Sequence, residues 1–191
     1  MSAVYIYMGP GSVVPRDVTR VRVHHIVRVI VARAFYGCFK LVEVELCEGL
    51  DEIGHCSFCG CNSLKRISLP SSLRRIAGEA FHGCTVLVKV ELCEGLQEIG
   101  DEAFWSCKSL KGITIPSSIR VIGRRAFGGC TGLVKVELRE GLQEIRDEAF
   151  KDCKSLKLIT LPSSAKVIAN QVFDRCEGLV KVELCEGLQE I

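Results

Sequence analysis

No apolar run in this chain approaches the ~18 residues that a membrane-crossing helix needs. The start, MSAVYIYMGPG, carries neither a basic leader nor a sustained apolar stretch, so no secretory signal is read there. Asn-x-Ser/Thr acceptors are missing too: Asn62 is followed by Ser63 and Leu64, and Asn170 by Gln171 and Val172. These absences lead to the expectation of an intracellular, cytoplasmic protein without a membrane span. Charge of one sign is also lacking. The 25 Lys and Arg stand against 23 Asp and Glu, and a net charge of +2 favours neither nucleic acid nor an anionic membrane. There is no GxxxxGK[ST], HExxH or GxSxG, and no GxGxxG opening a helix after a strand. The basic, aromatic-studded face that single-stranded nucleic acid requires is likewise not found. The chain is therefore read as non-catalytic, with no cofactor and no nucleic-acid partner.

What the chain has in quantity is repetition. With 48% hydrophobic and 25% charged residues it has the composition of a folded protein. Cys38, Cys61, Cys84, Cys107, Cys130, Cys153 and Cys176 recur every 23 residues, and so do Phe35, Phe58, Phe81, Phe104, Phe127, Phe150 and Phe173. A short fixed period describes a coil that cannot bury its apolar side alone, so successive coils must stack. Twelve cysteines in another context would suggest a disulfide scaffold. Here seven share one column and project the same way from coils roughly 5 Å apart, which is the wrong geometry for a bridge. They are expected to be small buried thiols. Cys47, Cys93 and Cys185 follow the strand two or more coils apart, too far to pair, and are expected to be exposed.

Within one unit, Leu64-x-x-Ile67-x-Leu69 has the alternation of a short strand. Leu73-x-x-Ile76 forms a second extended segment, and the stretch from Asp101 to Cys107 suggests a single helical turn with Phe104 and Cys107 inward. The Ile column runs through Ile30, Ile53, Ile76, Ile99, Ile122, Ile145, Ile168 and Ile191. A second period of 46 alternates a Val-Lys-Val-Glu-Leu coil with a Pro-Ser-Ser coil. Pro70, Pro116 and Pro162 fall where the strand ends, as suits a residue without an amide donor. Gly95, Gly141 and Gly187 occupy a turn position that accommodates positive φ.

With Pro-Ser-Ser-x-x-x-Ile and Ala-Phe-x-Gly-Cys following that strand, the chain resembles the BspA-type leucine-rich repeats over roughly residues 20 to 191. The resemblance implies a curved solenoid with a parallel sheet on one side, which binds proteins or surfaces and carries no catalytic motif. The fold expected is a right-handed leucine-rich-repeat superhelix of about seven to eight coils. Its coils combine short parallel strands, extended segments and single helical turns. Residues 1–19 are read as an N-terminal cap and 20–191 as the solenoid, which stops in mid-coil at Ile191.

Function is expected on the open sheet face. One column there runs through Arg20, Glu43, Arg66, Lys89, Gly112, Lys135, Leu158 and Lys181, and its neighbour through Arg22, Glu45, Ser68, Glu91, Thr114, Glu137, Thr160 and Glu183. Ser or Thr separates successive Glu residues further along, relieving repulsion. The charged members of these columns are the candidate contacts for a protein partner. An alternative is self-association through the uncapped last coil, by Leu179, Val182, Leu184, Leu188 and Ile191. A weaker candidate is a metal site of His55, Cys56, Cys59 and His82, where a CxxC meets two histidines but no second pair at finger-like spacing. Trp105 follows an inward Phe and is expected to be partly exposed.

Overall fold

In the computed structural model, which describes residues 4–184, the alternating stretches fold as short strands. β1 (Tyr5–Tyr7) precedes the first coil, and each coil then adds a longer strand and a two-residue strand. In chain order these are β2 (Arg20–Val23) and β3 (Val29–Ile30), β4 (Glu43–Glu45) and β5 (Glu52–Ile53), β6 (Arg66–Ser68) and β7 (Arg75–Ile76), and β8 (Lys89–Glu91) and β9 (Glu98–Ile99). There follow β10 (Gly112–Ile115) and β11 (Val121–Ile122), β12 (Lys135–Leu138) and β13 (Glu144–Ile145), β14 (Leu158–Thr160) and β15 (Val167–Ile168), and finally β16 (Lys181–Glu183). The product is a parallel β-solenoid of about seven turns.

All strand pairs among the described residues are parallel, and those from β2 onward are one repeat apart, as Arg20↔Glu43, Arg66↔Lys89 and Gly112↔Lys135 show. The two-residue strands β3 to β15 form one continuous seven-stranded sheet. The longer strands form the other side in three blocks, because β4 and β6, and β8 and β10, lie side by side without ladder pairing. β1 joins this side by pairing with β2, Tyr5 opposite Val21 and Tyr7 opposite Val23.

The third segment of the coil departs from expectation, since no helix forms among the described residues. An α-helix would take every amide of the segment for its own carbonyls. Stacking claims half of them instead. Cys56, Phe58 and Gly60 donate across to the carbonyls of Gly78, Ala80 and His82 in the next coil, at 3.1, 2.8 and 2.8 Å. Ser57, Cys59 and Cys61, between them, close tight turns onto Gly54, Cys56 and Phe58 at 3.2, 3.1 and 3.1 Å. This alternation needs left-handed backbone twice per coil. One such column is Arg33, Cys56, Glu79, Glu102, Arg125, Glu148 and Gln171, with φ from 52° to 59°. The other holds Gly37, Gly60, Gly83 and Gly129, but Ser106, Asp152 and Arg175 in its remaining coils.

Inside, like residues stack on like. The seven Phe rings form a column with centroids 4.9 to 6.0 Å apart and planes within 13° of parallel, and Tyr7 extends it 5.0 Å beyond Phe35. Spacings above the ~3.5–4 Å of direct carbon contact mean that the rings are offset rather than eclipsed. Each such ring contributes roughly 1.5–3 kcal/mol by burial.

The cysteine column is buried and unbridged, and all eleven cysteines among the described residues are free thiols. Its sulfurs also bond. Cys61, Cys84, Cys107, Cys130, Cys153 and Cys176 each donate to the carbonyl of the Phe 26 residues earlier, at 3.1 to 3.3 Å. Burial pushes the Cys84 and Cys130 thiols up to about 12, so they keep the proton that this bond uses.

The 46-residue alternation has a packing reason as well. The second Ser of each Pro-Ser-Ser coil spans two coils, since Ser118 Oγ accepts the Gly95 amide at 3.1 Å and donates to the Leu96 carbonyl at 2.6 Å. Ser72 and Ser164 repeat the pattern with Gly49–Leu50 and Gly141–Leu142. At Gly95 and Gly141 φ is 99° and 111°, as the turn demands, while Gly187 lies outside the described residues.

Candidate functional site

Parallel pairing at a step of 23 puts the outward residues of the longer strands into straight rows. Gly112, Lys135, Leu158 and Lys181 are register partners in succession, and so are Thr160 and Glu183. Arg66 lies opposite Lys89, and Ser68 opposite Glu91. On this face the charges satisfy one another. Arg20 Nε donates to Glu43 at 2.6 Å and Arg22 Nε to Glu45 at 2.5 Å, each across one coil. Lys89 pairs with Glu91, Lys135 with Glu137, and Lys181 with Glu183 along their own strands. Thr114 and Thr160 donate to Glu137 and Glu183 at 3.0 and 2.8 Å, so the hydroxyls between Glu residues bond as well as separate. Bonds from Arg22 and Lys89 hold the Glu45 and Glu91 carboxyls below their ordinary value, and Lys135 with Thr114, and Lys181 with Thr160, do the same for Glu137 and Glu183. All these groups are solvated, so the pairs contribute little to stability and are open to exchange.

Gly112 leaves a gap in the Lys column. A shallow depression of about 360 Å³ lies over it, walled by Lys89, Glu91, Thr114, Lys135 and Glu137. Arg139 reaches Glu94 at its rim, bridging coils 45 residues apart.

Outside that face, the four Cys and His residues singled out by sequence do not gather as one set. His55 Nε2 lies 3.3 Å from Cys56 Sγ, and Cys56 Sγ lies 3.4 Å from Glu79 Oε2. Those three form a cluster, and the third member is an acidic residue that sequence reasoning passed over. Its signal was position, since Glu79 stands 23 residues after Cys56 in the same left-handed column. His82 turns to Glu102, 3.5 Å away, and Cys59 is not in the cluster. Burial, together with a bond to Glu79, pushes the Cys56 thiol up to about 12.

Cys47 and Cys93, expected to be exposed, are half-buried, with thiols directed at the carbonyls of His24 and Leu73 at 3.4 and 3.6 Å; Cys185 lies outside the described residues. The Trp105 indole, also half-buried, lies over Gly128, where a Cβ would come within 2.2 Å of it, and the Arg125 guanidinium sits 5.6 Å from its ring.

At the far end, Val182 is 37% exposed whereas Val44, Val90 and Val136 in its column are 4–8% exposed. Val180 and Leu184 beside it are exposed, and Leu179 is half-buried. Leu188 and Ile191 lie outside the described residues. No helix among the described residues is long and apolar enough to cross a membrane.

The chain matches the model of the BspA type leucine rich repeat region, in 6 copies, over residues 16–124 and 98–191. Among solved structures it is similar to a leucine-rich repeat protein of T. pallidum, with TM-score 0.78 and 37% identity over 83% of this chain and 77% of that one. A leucine-rich repeat protein of Bacteroides ovatus matches with TM-score 0.73 and 30% identity, over 88% of this chain and 56% of that one. A leucine-rich cell surface protein of Faecalibacterium prausnitzii matches with TM-score 0.77 and 29% identity, over 83% and 43%. This chain thus spans about half the length of the latter two. None of the curated proteins compared is similar to it.

Proposed function

This chain belongs to the BspA-type leucine-rich repeat family, and from that membership we propose that it is a non-catalytic module that binds a protein partner through the open face of the longer strands. Leucine-rich repeat proteins are generally protein-interaction or structural modules, and generally non-catalytic. The observation that carries this reading is one exposed surface on which Lys89, Lys135 and Lys181 each pair with Glu91, Glu137 and Glu183 of their own strands, Lys135 and Lys181 standing in one ladder. Exposed ion pairs are individually weak, so a partner of mixed charge can replace them with little loss. Such rows set orientation and association rate more than affinity. Arg20, Arg22, Glu43, Glu45 and Arg66 extend the rows toward the N-terminal end. Reversing Lys89, Lys135 and Lys181 to Glu should change the set of proteins cross-linked to the chain. The same change at Arg75, on the opposite sheet, and at Arg120, just before β11 of that sheet, should not. An unaltered set in the triple variant refutes this reading.

The exposure of Val182 and Leu184 favours a second reading, in which coils of two copies stack end to end in a structural role. Light scattering across a concentration series separates the two, because a concentration-independent monomer removes the second. An intracellular location belongs to the first reading, and the supply of free thiols supports it. The surface location stated for the F. prausnitzii protein is that protein's own. Cell fractionation decides where this chain resides.

A further inference from the structure

We infer that His55, Cys56 and Glu79 form a binding site for a zinc-class divalent metal ion, in the turn segment that follows β5 and away from the sheet face. Among the described residues this is the one group of three or more metal-ligating side chains whose donor atoms all lie within 4.8 Å of one another. The three separations are 3.3 Å from His55 Nε2 to Cys56 Sγ, 3.4 Å from Cys56 Sγ to Glu79 Oε2, and 4.0 Å from His55 Nε2 to Glu79 Oε1. Zinc–ligand bonds of about 2.0–2.3 Å at tetrahedral angles place neighbouring donors roughly 3.4–3.6 Å apart. The His55–Cys56 and Cys56–Glu79 edges already match, while the longer His55–Glu79 edge is measured to the other carboxylate oxygen, so turning the Glu79 carboxylate would bring one oxygen toward both partners.

The backbone accounts for the fit. Cys56 and Glu79 are equivalent residues of successive coils, with φ of 52° and 56°, so their side chains leave the chain in one direction, one coil apart. His55 precedes Cys56, and its ring rests against Gly78, where a Cβ would stand 3.5 Å from Nδ1. Sequence neighbours thus supply two donors, and stacking supplies the third.

The donor set identifies the ion. One imidazole, one thiolate and one carboxylate combine borderline and soft character, which suits zinc and disfavours magnesium and calcium, whose sites are built from oxygen. With the thiol deprotonated, the set carries two negative charges against the ion's two positive ones. His55 and Glu79 are half-exposed, which provides a path of entry and leaves a fourth position to water. The hydrogen bond from Cys56 to Glu79 occupies the place the ion would take. Other coils repeat the geometry without the chemistry. At the positions of Cys56 and Glu79 they carry Arg33, Glu102, Arg125, Glu148 and Gln171, and the position of His55 one coil on is Gly78, the His82 that meets Glu102 coming from the Cys59 column instead.

The test is titration of the full chain, stripped of metal and kept reduced, with Co²⁺ followed by displacement with Zn²⁺. One ion per chain is expected, with the ultraviolet thiolate-to-cobalt band appearing and Zn²⁺ removing it. Cys56→Ala should abolish the band. His55→Ala and Glu79→Gln should weaken Zn²⁺ binding by more than the ~10–100-fold that loss of a partner outside the coordination sphere costs. Cys59→Ala and His82→Ala should bind as the unaltered chain does. Both His55 and Glu79 are half-exposed, so circular dichroism of their metal-free variants should match the parent even if the buried Cys56 variant folds poorly. No saturable one-to-one binding, or full binding in His55→Ala and Glu79→Gln, overturns the site. Loss of binding in Cys59→Ala and His82→Ala with Glu79→Gln unaffected overturns it equally, by giving the ion to the other set.

Discussion

Ser57→Ala should stabilise this protein. Among the described residues Ser57 is the one buried polar residue of the core, at 0% exposure, and its hydroxyl has no hydrogen-bond partner there. It stands in a column whose other coils hold Ala34, Ala80, Ala103, Ala126, Ala149 and Val172. The backbone amide of Ser57 is already bonded to Gly54, so the hydroxyl is not needed to close the turn. A buried unsatisfied hydroxyl costs about 1–3 kcal/mol, and removing a single oxygen from a site that accepts Ala elsewhere leaves almost no cavity. For a chain of 191 residues, each kcal/mol moves Tm by about 2–4 °C, so a rise of at least that size is expected. Coils couple mainly to their nearest neighbours, so calorimetric scans of the two proteins should be compared as whole profiles. The reverse substitution, Ala80→Ser in the same column, should lower Tm by a similar amount. A fall or no change in Ser57→Ala, or a neutral Ala80→Ser, would falsify the claim that this column has no partner to offer a hydroxyl.

Phe104→Ala, in the middle of the aromatic stack, should cost about 3–5 kcal/mol. Phe173→Ala should cost distinctly less, because Phe173 is half-buried and 6.0 Å from its one ring neighbour, Phe150; equal losses in denaturant titrations contradict this. The third prediction concerns acid. Hydrogen bonds from Arg125, and then from Lys151, hold the Glu148 carboxyl below its ordinary value. A depressed folded value means that the pair's contribution is complete above the ordinary carboxylate range of about 4.3. It is lost as pH falls through the lower folded value. Glu148→Gln should therefore flatten stability against pH on the acid side of that range, and an unchanged acid limb sinks the reasoning.

The columns were legible in the sequence because duplication preserved their spacing. Phe35 to Phe173, Cys38 to Cys176 and the Ile series from Ile30 to Ile168 face inward, and the rows Arg20–Glu43 and Arg22–Glu45 are register partners, as a period of 23 requires. Turn conformation was not legible. An apolar spacing of three residues, as between Phe104 and Cys107, suits a helical turn and a chain of tight turns equally. The choice depends on whether amides such as those of Cys56 and Phe58 find carbonyls in the next coil. Cys47 and Cys93 were misjudged for a related reason, since their burial comes from loops of the neighbouring coils. Glu79 looked like one more surface acid until stacking set it 3.4 Å from Cys56.

By itself the sequence determined the repeat, the inward and outward columns and the order in which coils succeed one another, because each depends only on spacing along the chain. Tertiary structure decided which amides bond within a coil and which between coils, where the backbone turns left-handed, and which side chains from different coils meet. Those outcomes depend on distances between coils, and only stacking sets such distances. The open sheet face could be read in advance, whereas the His55–Cys56–Glu79 cluster came into existence only when two coils were placed one upon the other.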